Sequence, residues 1–272
     1  MQNLTDTFRK LHQSGCFVIA NPWDAGTARY LQHLGFPALA TTSGGFAFRQ
    51  ALPDGAVDRD MMLAHIREIV EASDVPVNAD FESGYAKDAA GVAENVRLCV
   101  ETGVAGLSIE DAFEHSLFSL EESIERVRAA RAAIDASGSN VLLTARAECY
   151  LMKHPDPLSE SLRRLEAYAE AGADVLFAPG VALAEEIKTL VSAVAPKPFN
   201  LIVTRNLGLT VSEIAGLGVR RISVGSSLAR AAWTAVMRSA EGIARRGDFS
   251  SFDDLVPYPE INGFFREDVR KR

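Results

Sequence analysis

The residues in this chain best suited to chemistry are mostly acidic, and they recur at the ends of short apolar runs. The richest tip reads Val77-Asn78-Ala79-Asp80-Phe81-Glu82-Ser83-Gly84-Tyr85; Glu110-Asp111 closes another run, and Arg146-Ala147-Glu148 a third. Any one of these charges alone would read as a solvated loop residue. Asp80, Glu110 and Arg146 together read as a site, because clustered carboxylates repel one another unless a cation sits among them. An oxygen-rich, partly hydrated set of this kind suits Mg²⁺ or Mn²⁺. Arg146 adds a planar fork of donors that can grip a carboxylate on two oxygens at once.

A second cluster, Thr41-Thr42-Ser43-Gly44-Gly45-Phe46, follows another apolar run. Two glycines behind a hydroxyl let backbone N–H groups approach an oxyanion closely, so a loop is expected here that can hold a carboxylate or oxo group. The same Gly-Gly pair also serves a turn needed only for geometry. There is no G-x-x-x-x-G-K-[ST] loop, no strand–GxGxxG–helix unit, no GxSxG elbow and no HExxH helix, so nucleotide binding and those hydrolase chemistries have no support.

Bringing separated tips to one rim requires a scaffold, and the spacing of the runs specifies one. They are Phe17–Asn21, Ala38–Ser43, Val75–Asp80, Gly106–Glu110, Val141–Arg146, Asp174–Ala178, Phe199–Val203 and Arg221–Gly225, each separated from the next by enough chain for a helix and two loops. Strand-sized runs alternating with helix-sized segments imply parallel strands joined by crossovers. Eight such units in about 250 residues is the size of a (β/α)₈ TIM barrel, whose C-terminal strand ends build the active site. Amphipathic helices are expected over 58–72, 120–136, 159–172 and 182–194, with Gly103, Gly172 and Gly218 ending helices. A last helix is expected over 226–245. Residues 247–272 form a tail with Phe249, Phe252, Tyr258, Phe264 and Phe265, too aromatic to be merely disordered. The whole chain reads as one barrel domain.

At 272 residues, 47% of them apolar, the chain can bury a large core. A net charge of −8 with scattered Lys and Arg argues against nucleic acid or an anionic membrane as the main partner, and leaves small anionic substrates open. Cys16, Cys99 and Cys149 follow no CxxC spacing, so neither a disulfide framework nor a structural zinc site is indicated. The start, Met1-Gln2-Asn3-Leu4-Thr5-Asp6, lacks a signal-peptide pattern, and no run approaches the roughly 20 residues of a membrane span. A cytoplasmic location is expected.

In order along the chain, Ser43-Gly44-Gly45, Pro53-Asp54, Asn78-x-Asp80 with Gly84-Tyr85, Ser108-Ile109-Glu110-Asp111, Ala145-Arg146-x-Glu148 and Phe199-Asn200 resemble the isocitrate lyase/phosphoenolpyruvate mutase superfamily over roughly residues 15 to 250. The resemblance implies a barrel with a swapped terminal helix, commonly a homotetramer, that binds Mg²⁺ and cleaves or forms a C–C or C–P bond beside a 2-oxo acid or its enolate. Carried over by position, Asp80 and Glu110 would hold the metal directly or through water. Ser43, Gly44 and Gly45 would hold the substrate's carboxylate and oxo group, and Arg146 would pair with a carboxylate. Asp54, Arg146 and Glu148 would stand at the reacting centre, while Asn200 would contact substrate. Trp23 would line the pocket, although a core role suits that ring equally.

Two departures bear on function. The family usually shows Asp-x-Asp on the third strand, where this chain has Asn78, with one negative charge fewer. The lyases of the family carry a Lys-Arg-Cys-Gly-His lid whose cysteine protonates the released enolate; the corresponding stretch here, Asp111 to Phe118, contains no cysteine, and His115 is its one imidazole. Isocitrate-type cleavage therefore loses its usual proton donor. The expected activity is a Mg²⁺-dependent (or Mn²⁺-dependent) C–C lyase, oxaloacetate decarboxylase-like, acting on a small 2-oxo or hydroxy dicarboxylate through an enolate. A C–P enzyme acting on phosphonopyruvate or phosphoenolpyruvate, and a catalytically silent 2-oxo acid-binding barrel, are the alternatives.

Overall fold

The structure, a computed structural model, describes residues 4–272; the first three residues of the N-terminal stretch lie outside the described residues. The strands are β1 (Phe17–Ile19), β2 (Leu39–Ala40), β3 (Val77–Asp80), β4 (Gly106–Glu110), β5 (Ala112–Phe113), β6 (Ser116–Leu117), β7 (Leu142–Arg146), β8 (Val175–Phe177), β9 (Phe199–Ile202) and β10 (Arg221–Ser223). All except β5 and β6 form one parallel sheet in the order β1-β10-β9-β8-β7-β4-β3-β2, and a parallel bridge between Ala20 and Leu39 joins its two edges. The sheet is thus the eight-stranded α/β TIM barrel expected from the eight apolar runs. Closure leaves no open edge in the sheet.

The crossover helices form where expected: Arg59–Glu71, Leu120–Ala136, Pro157–Glu170 and Ala184–Val194. Most βα loops end on a short polar residue whose side chain accepts from the N3 amide of the helix that follows, as at Asp24, Thr42, Asp58, Asp88, Ser119, Asp156 and Thr210. Each cap is worth about 1 kcal/mol and fixes where a loop hands over to its helix. The inner faces of these helices and of the helix Ala89–Val100, through Met62, Ile66, Val92, Val96, Val127, Ile134, Leu165 and Ile187, pack on the sheet as one continuous core. Gly103, Gly172 and Gly218 take positive φ behind their helices.

Three elements were not anticipated. A helix over Leu4–Leu11 places Phe8, fully buried, in a cluster with Phe17, Ile19, Leu142 and Val175 at the N-terminal ends of the strands. Gly106 makes room for it: a Cβ there would lie 2.7 Å from the Phe8 ring. The segment after β2 is not a loop but a short helix, Ser43–Arg49, with Thr42 as its cap. The chain after β4 folds as an antiparallel hairpin, β5 with β6.

The barrel lies within a compact unit that ends at Ser226, and Ser227–Arg272 forms a second unit. That second unit holds the helix Ser227–Arg246, a 3₁₀ turn at Ser250–Phe252 and the helix Tyr258–Lys271, so the aromatic tail is ordered. Among the described residues no helix is long and apolar enough to cross a membrane.

Candidate active site

Strand register assembles the rim. Asp80 pairs with Ser108, Glu110 with Arg146, and Arg146 with Phe177, so β3, β4 and β7 present their last residues side by side. Arg146 is the hub. Its Nη1 lies 3.0 Å from Asp80 Oδ1 and 2.8 Å from Glu110 Oε1, its Nε donates to Glu148 Oε1 at 2.8 Å, and its guanidinium carbon sits 5.1 Å from the centre of the Phe177 ring. Burial works against its charge, but Glu110, Glu148 and Asp80 more than offset this and hold its pKa above the ordinary value.

Asp80 is held on every side. Its Oδ2 accepts from both the amide and the hydroxyl of Ser43, each at 2.9 Å, and its own amide donates to Thr41 Oγ1 at 2.8 Å. The donors expected to face substrate are therefore turned onto a carboxylate in this structure. Gly45 donates to Thr42 Oγ1 within the first turn of the short helix. Gly44 backs onto Asp54, where an added Cβ would lie 3.1 Å from Asp54 Oδ2. Bulk at position 44 would push Asp54 away.

Glu148 and Asp111 form the layer beneath. Asp111 Oδ1 accepts from the Glu148 amide at 2.8 Å, while Oδ2 accepts from Arg164 Nη1 at 2.9 Å and from the Tyr168 hydroxyl at 2.6 Å. Asp111, which follows Glu110 at the tip of its run, is buried and structural. Arg164 also donates to the Phe118 carbonyl at 2.9 Å, and Arg126 stacks on the Phe118 ring at 4.0 Å while donating to the carbonyls of Ser83, Ala86 and Lys87. Two arginines on the crossover helices thus anchor the loops after β3 and β4. No sequence signal marked them, since each stands within an ordinary amphipathic helix.

Five carboxyl groups, those of Asp54, Asp80, Glu82, Glu110 and Glu148, share Arg146 as their common cation. Burial, with repulsion from neighbouring acids, pushes Glu82 and Glu148 up to about 7 and raises Asp54 and Glu110. Glu82 stands at a positive φ of 45° and its buried Oε1 has no hydrogen-bond partner. Such a set lacks positive charge. Among the described residues no three or more His, Cys, Asp or Glu side chains are arranged to enclose a metal ion. The oxygens of Asp80 and Glu110 do converge, on one cationic nitrogen, so the donor set fits a hard divalent ion held by one or two carboxylates and completed by water.

The residues singled out in the sequence fall into distinct places. Ser43, Asp54 and Glu110 line a cleft of about 490 Å³ with Glu82, His115 and Met152. Asp80, Arg146 and Asn200 line a smaller, partly open pocket of about 50 Å³. Gly44 and Gly45 are buried in the short helix, and Glu148 is buried against Arg146. Trp23 is partly buried and lines neither space. His115, on the hairpin, is exposed at the mouth of the cleft.

Comparison with known proteins bears on the family and the fold. The family model for phosphoenolpyruvate phosphomutase matches residues 8–244. A Burkholderia cenocepacia J2315 crystal structure, provisionally designated a lyase/mutase, is 45% identical with a TM-score of 0.93, covering 97% of this chain and 96% of its own. Oxaloacetate decarboxylase 1 of Pseudomonas putida W619 is 30% identical over 94% of this chain and 89% of its own. The structure of 2,3-dimethylmalate lyase, of the PEP mutase/isocitrate lyase superfamily, is 26% identical with a TM-score of 0.85, covering 98% of this chain and 94% of its own.

Proposed function

The chain belongs to the phosphoenolpyruvate phosphomutase family, within the isocitrate lyase/PEP mutase superfamily of lyases and mutases, and on that footing we propose that it is a C–C lyase that decarboxylates a small 2-oxo diacid through an enolate. The observation that carries this reading is the carboxyl cluster in which Asp80, Glu110 and Glu148 contact Arg146 while Asp54 and Glu82 feel its charge, beside a cleft with no thiol in its lining. Decarboxylation needs a grip on the substrate and a sink for the C–C electrons. Retro-aldol cleavage needs, in addition, a base for a hydroxyl and a placed acid for the enolate.

Asp80 and Glu110 would hold a Mg²⁺ or Mn²⁺ ion, directly or through water, and such an ion supplies Lewis-acid polarisation of a 2-oxo oxygen. With positive charge present, Asp80 no longer needs both donors of Ser43. Ser43 N–H and Oγ–H would then be available to the substrate's carboxylate and oxo oxygens, with Gly44 behind them, while the Gly45 amide stays on Thr42 as the helix cap. Arg146 pairs with a carboxylate and is kept charged and oriented by Glu148, itself aimed by Asp111. Asp54, held against Gly44, faces the reacting carbons from the cleft, and Asn200 is the further substrate contact; Trp23, which lines neither space, is not one. The C–C bond breaks to release CO₂, its electron pair passes into the enolate, and water delivers the proton that yields the 2-oxo monoacid.

The same reading takes the protein as a homo-oligomer, supported by Trp233, Val236, Met237 and Tyr258 standing exposed in the second unit. The deciding experiment is incubation with Mg²⁺ and a panel of oxaloacetate, isocitrate, 2-methylisocitrate and phosphonopyruvate, with pyruvate, glyoxylate and phosphate as readouts. Pyruvate from oxaloacetate above the metal-only rate is the expected result. Phosphate from phosphonopyruvate with no turnover of oxaloacetate would replace this reading with C–P chemistry.

A further inference from the structure

The barrel interior beneath the rim is unusual for this fold. Where barrel interiors are filled mostly by branched apolar side chains, this one carries Asn78, Ser108, Thr144, Asn200, Arg221 and Ser223, all buried. Arg221, at the start of β10, is 3% exposed. Its Nε donates to Asn200 Oδ1 at 2.7 Å and its Nη2 to Thr144 Oγ1 at 3.1 Å, while Asn200 Nδ2 donates onward to Ser223 Oγ at 3.0 Å. Nη1 has no partner at all.

Arg146 and Arg221 line the same small, partly open cavity, yet they are compensated very differently. Arg146 has three carboxylates within 3.0 Å. Arg221 has neutral partners only, and burial, with no carboxylate opposing it, pushes its pKa down to about 9. Asp80 borders the cavity but spends its oxygens on Arg146 and Ser43. A guanidinium is protonated at any working pH, and a buried charge without a counter-charge is costly. The space beside it, about 50 Å³, accommodates one small ion or a water or two.

We infer that this cavity is a binding site for a small monoanion, held by Arg221 Nη1 in the polar layer of Asn78, Ser108, Asn200 and Ser223. The anion is a free halide-sized ion or the second carboxylate of a bound diacid. The two sources differ in what they need: a free ion needs only the cavity, whereas a tethered carboxylate also needs the rest of its diacid placed beside Asp80 and Arg146, which line the same space. In its free-ion form the inference stands on Arg221 and the cavity alone; in its diacid form it rests on the reading above, because Asp80, Arg146 and Asn200 line the same space.

The test is thermal unfolding of the intact protein and of Arg221→Met, at constant ionic strength, replacing gluconate with bromide in one arm and with malonate in the other. A saturable rise in Tm of roughly 2–5 °C in the wild type, absent in Arg221→Met, is expected. A response to bromide identifies a free-ion site, and a response to malonate alone identifies the carboxylate of a diacid. Equal responses in the two proteins overturn the inference. Should Arg221→Met fail to fold, wild-type crystals grown in bromide and in malonate decide: an anion within hydrogen-bond distance of Nη1 in either supports it, and ordered water there in both overturns it.

Discussion

The backbone amide of Glu148 donates to Asp111 Oδ1 at 2.8 Å, and the same Glu148 side chain accepts from Arg146 Nε at 2.8 Å. A buried carboxylate at the end of β4 thereby sets the aim of the guanidinium at the end of β7, through one intervening residue. Asp111 in turn is held by Arg164 and Tyr168. Asp111→Ala should destabilise the fold by about 2–4 kcal/mol, the cost of removing the buried one of Arg164's two carboxylate partners and the acceptor of the Tyr168 hydroxyl and the Glu148 amide, while Glu160 stays on Arg164 Nε. Denaturant midpoints measure this, and Asp111→Asn, which keeps an acceptor for the Glu148 amide, should lose less. A midpoint unchanged in Asp111→Ala would mean that Arg164 finds other compensation.

Activity should require Mg²⁺ or Mn²⁺ and disappear with a chelator, because Asp80 and Glu110 offer hard oxygens converging on one point. Asp80→Ala removes a charged donor and should abolish turnover. Full activity of that variant in metal-stripped buffer would remove Asp80 and Glu110 from the metal-ligand assignment.

Arg146→Lys should raise KM and lower kcat/KM, since an ammonium cannot reproduce a planar fork that serves three carboxylates and a substrate at once. For Arg146→Ala a loss of about 2–4 kcal/mol in kcat/KM is expected, in a variant first shown to be folded by circular dichroism. Unchanged kinetics would place Arg146 outside the substrate's reach.

The pH dependence of stability offers a separate check on the acidic cluster. The Glu82 carboxyl is pushed up to about 7 by burial, then by Asp80, so the folded state binds a proton more tightly than the unfolded state does. Its contribution is fully present at pH below the unfolded value and is lost as pH rises to about 7. Glu82→Gln should therefore match the wild type near pH 4 and gain roughly 1–3 kcal/mol over it by pH 8 in metal-free buffer. A constant difference across that range would show that Glu82 is not the titrating group.

Isocitrate and 2-methylisocitrate should not be cleaved at a useful rate. Their retro-aldol cleavage needs an acid for the enolate, and general acid–base help is worth ~10²–10⁴-fold per group. Cys99 and Cys149 are buried and Cys16 precedes β1, so none of the three thiols lines the cleft. Burial also pushes the Cys149 thiol up to about 11. Rapid glyoxylate release from isocitrate would sink this view, and its loss in a His115→Ala variant would name the substitute acid.

The sequence by itself determined the barrel, because strand length, βα spacing and terminal glycines are local properties that recur eight times and reinforce one another. It also determined that Asp80, Glu110 and Arg146 meet, since residues closing neighbouring parallel strands must share a rim. It could not separate Asp111 from Glu110. Adjacent residues leave a strand end in opposite directions, and only the positions of Arg164 and Tyr168 on a later helix made one of the two structural. Nor could it expose the state of Ser43, whose donors turn to Asp80 because a carboxylate 37 residues away comes within 2.9 Å. Arg221 is the clearest case. In sequence it is the second of two consecutive arginines and opens an apolar strand, and only closure of the barrel decided that it is buried beside a small cavity without a counter-charge.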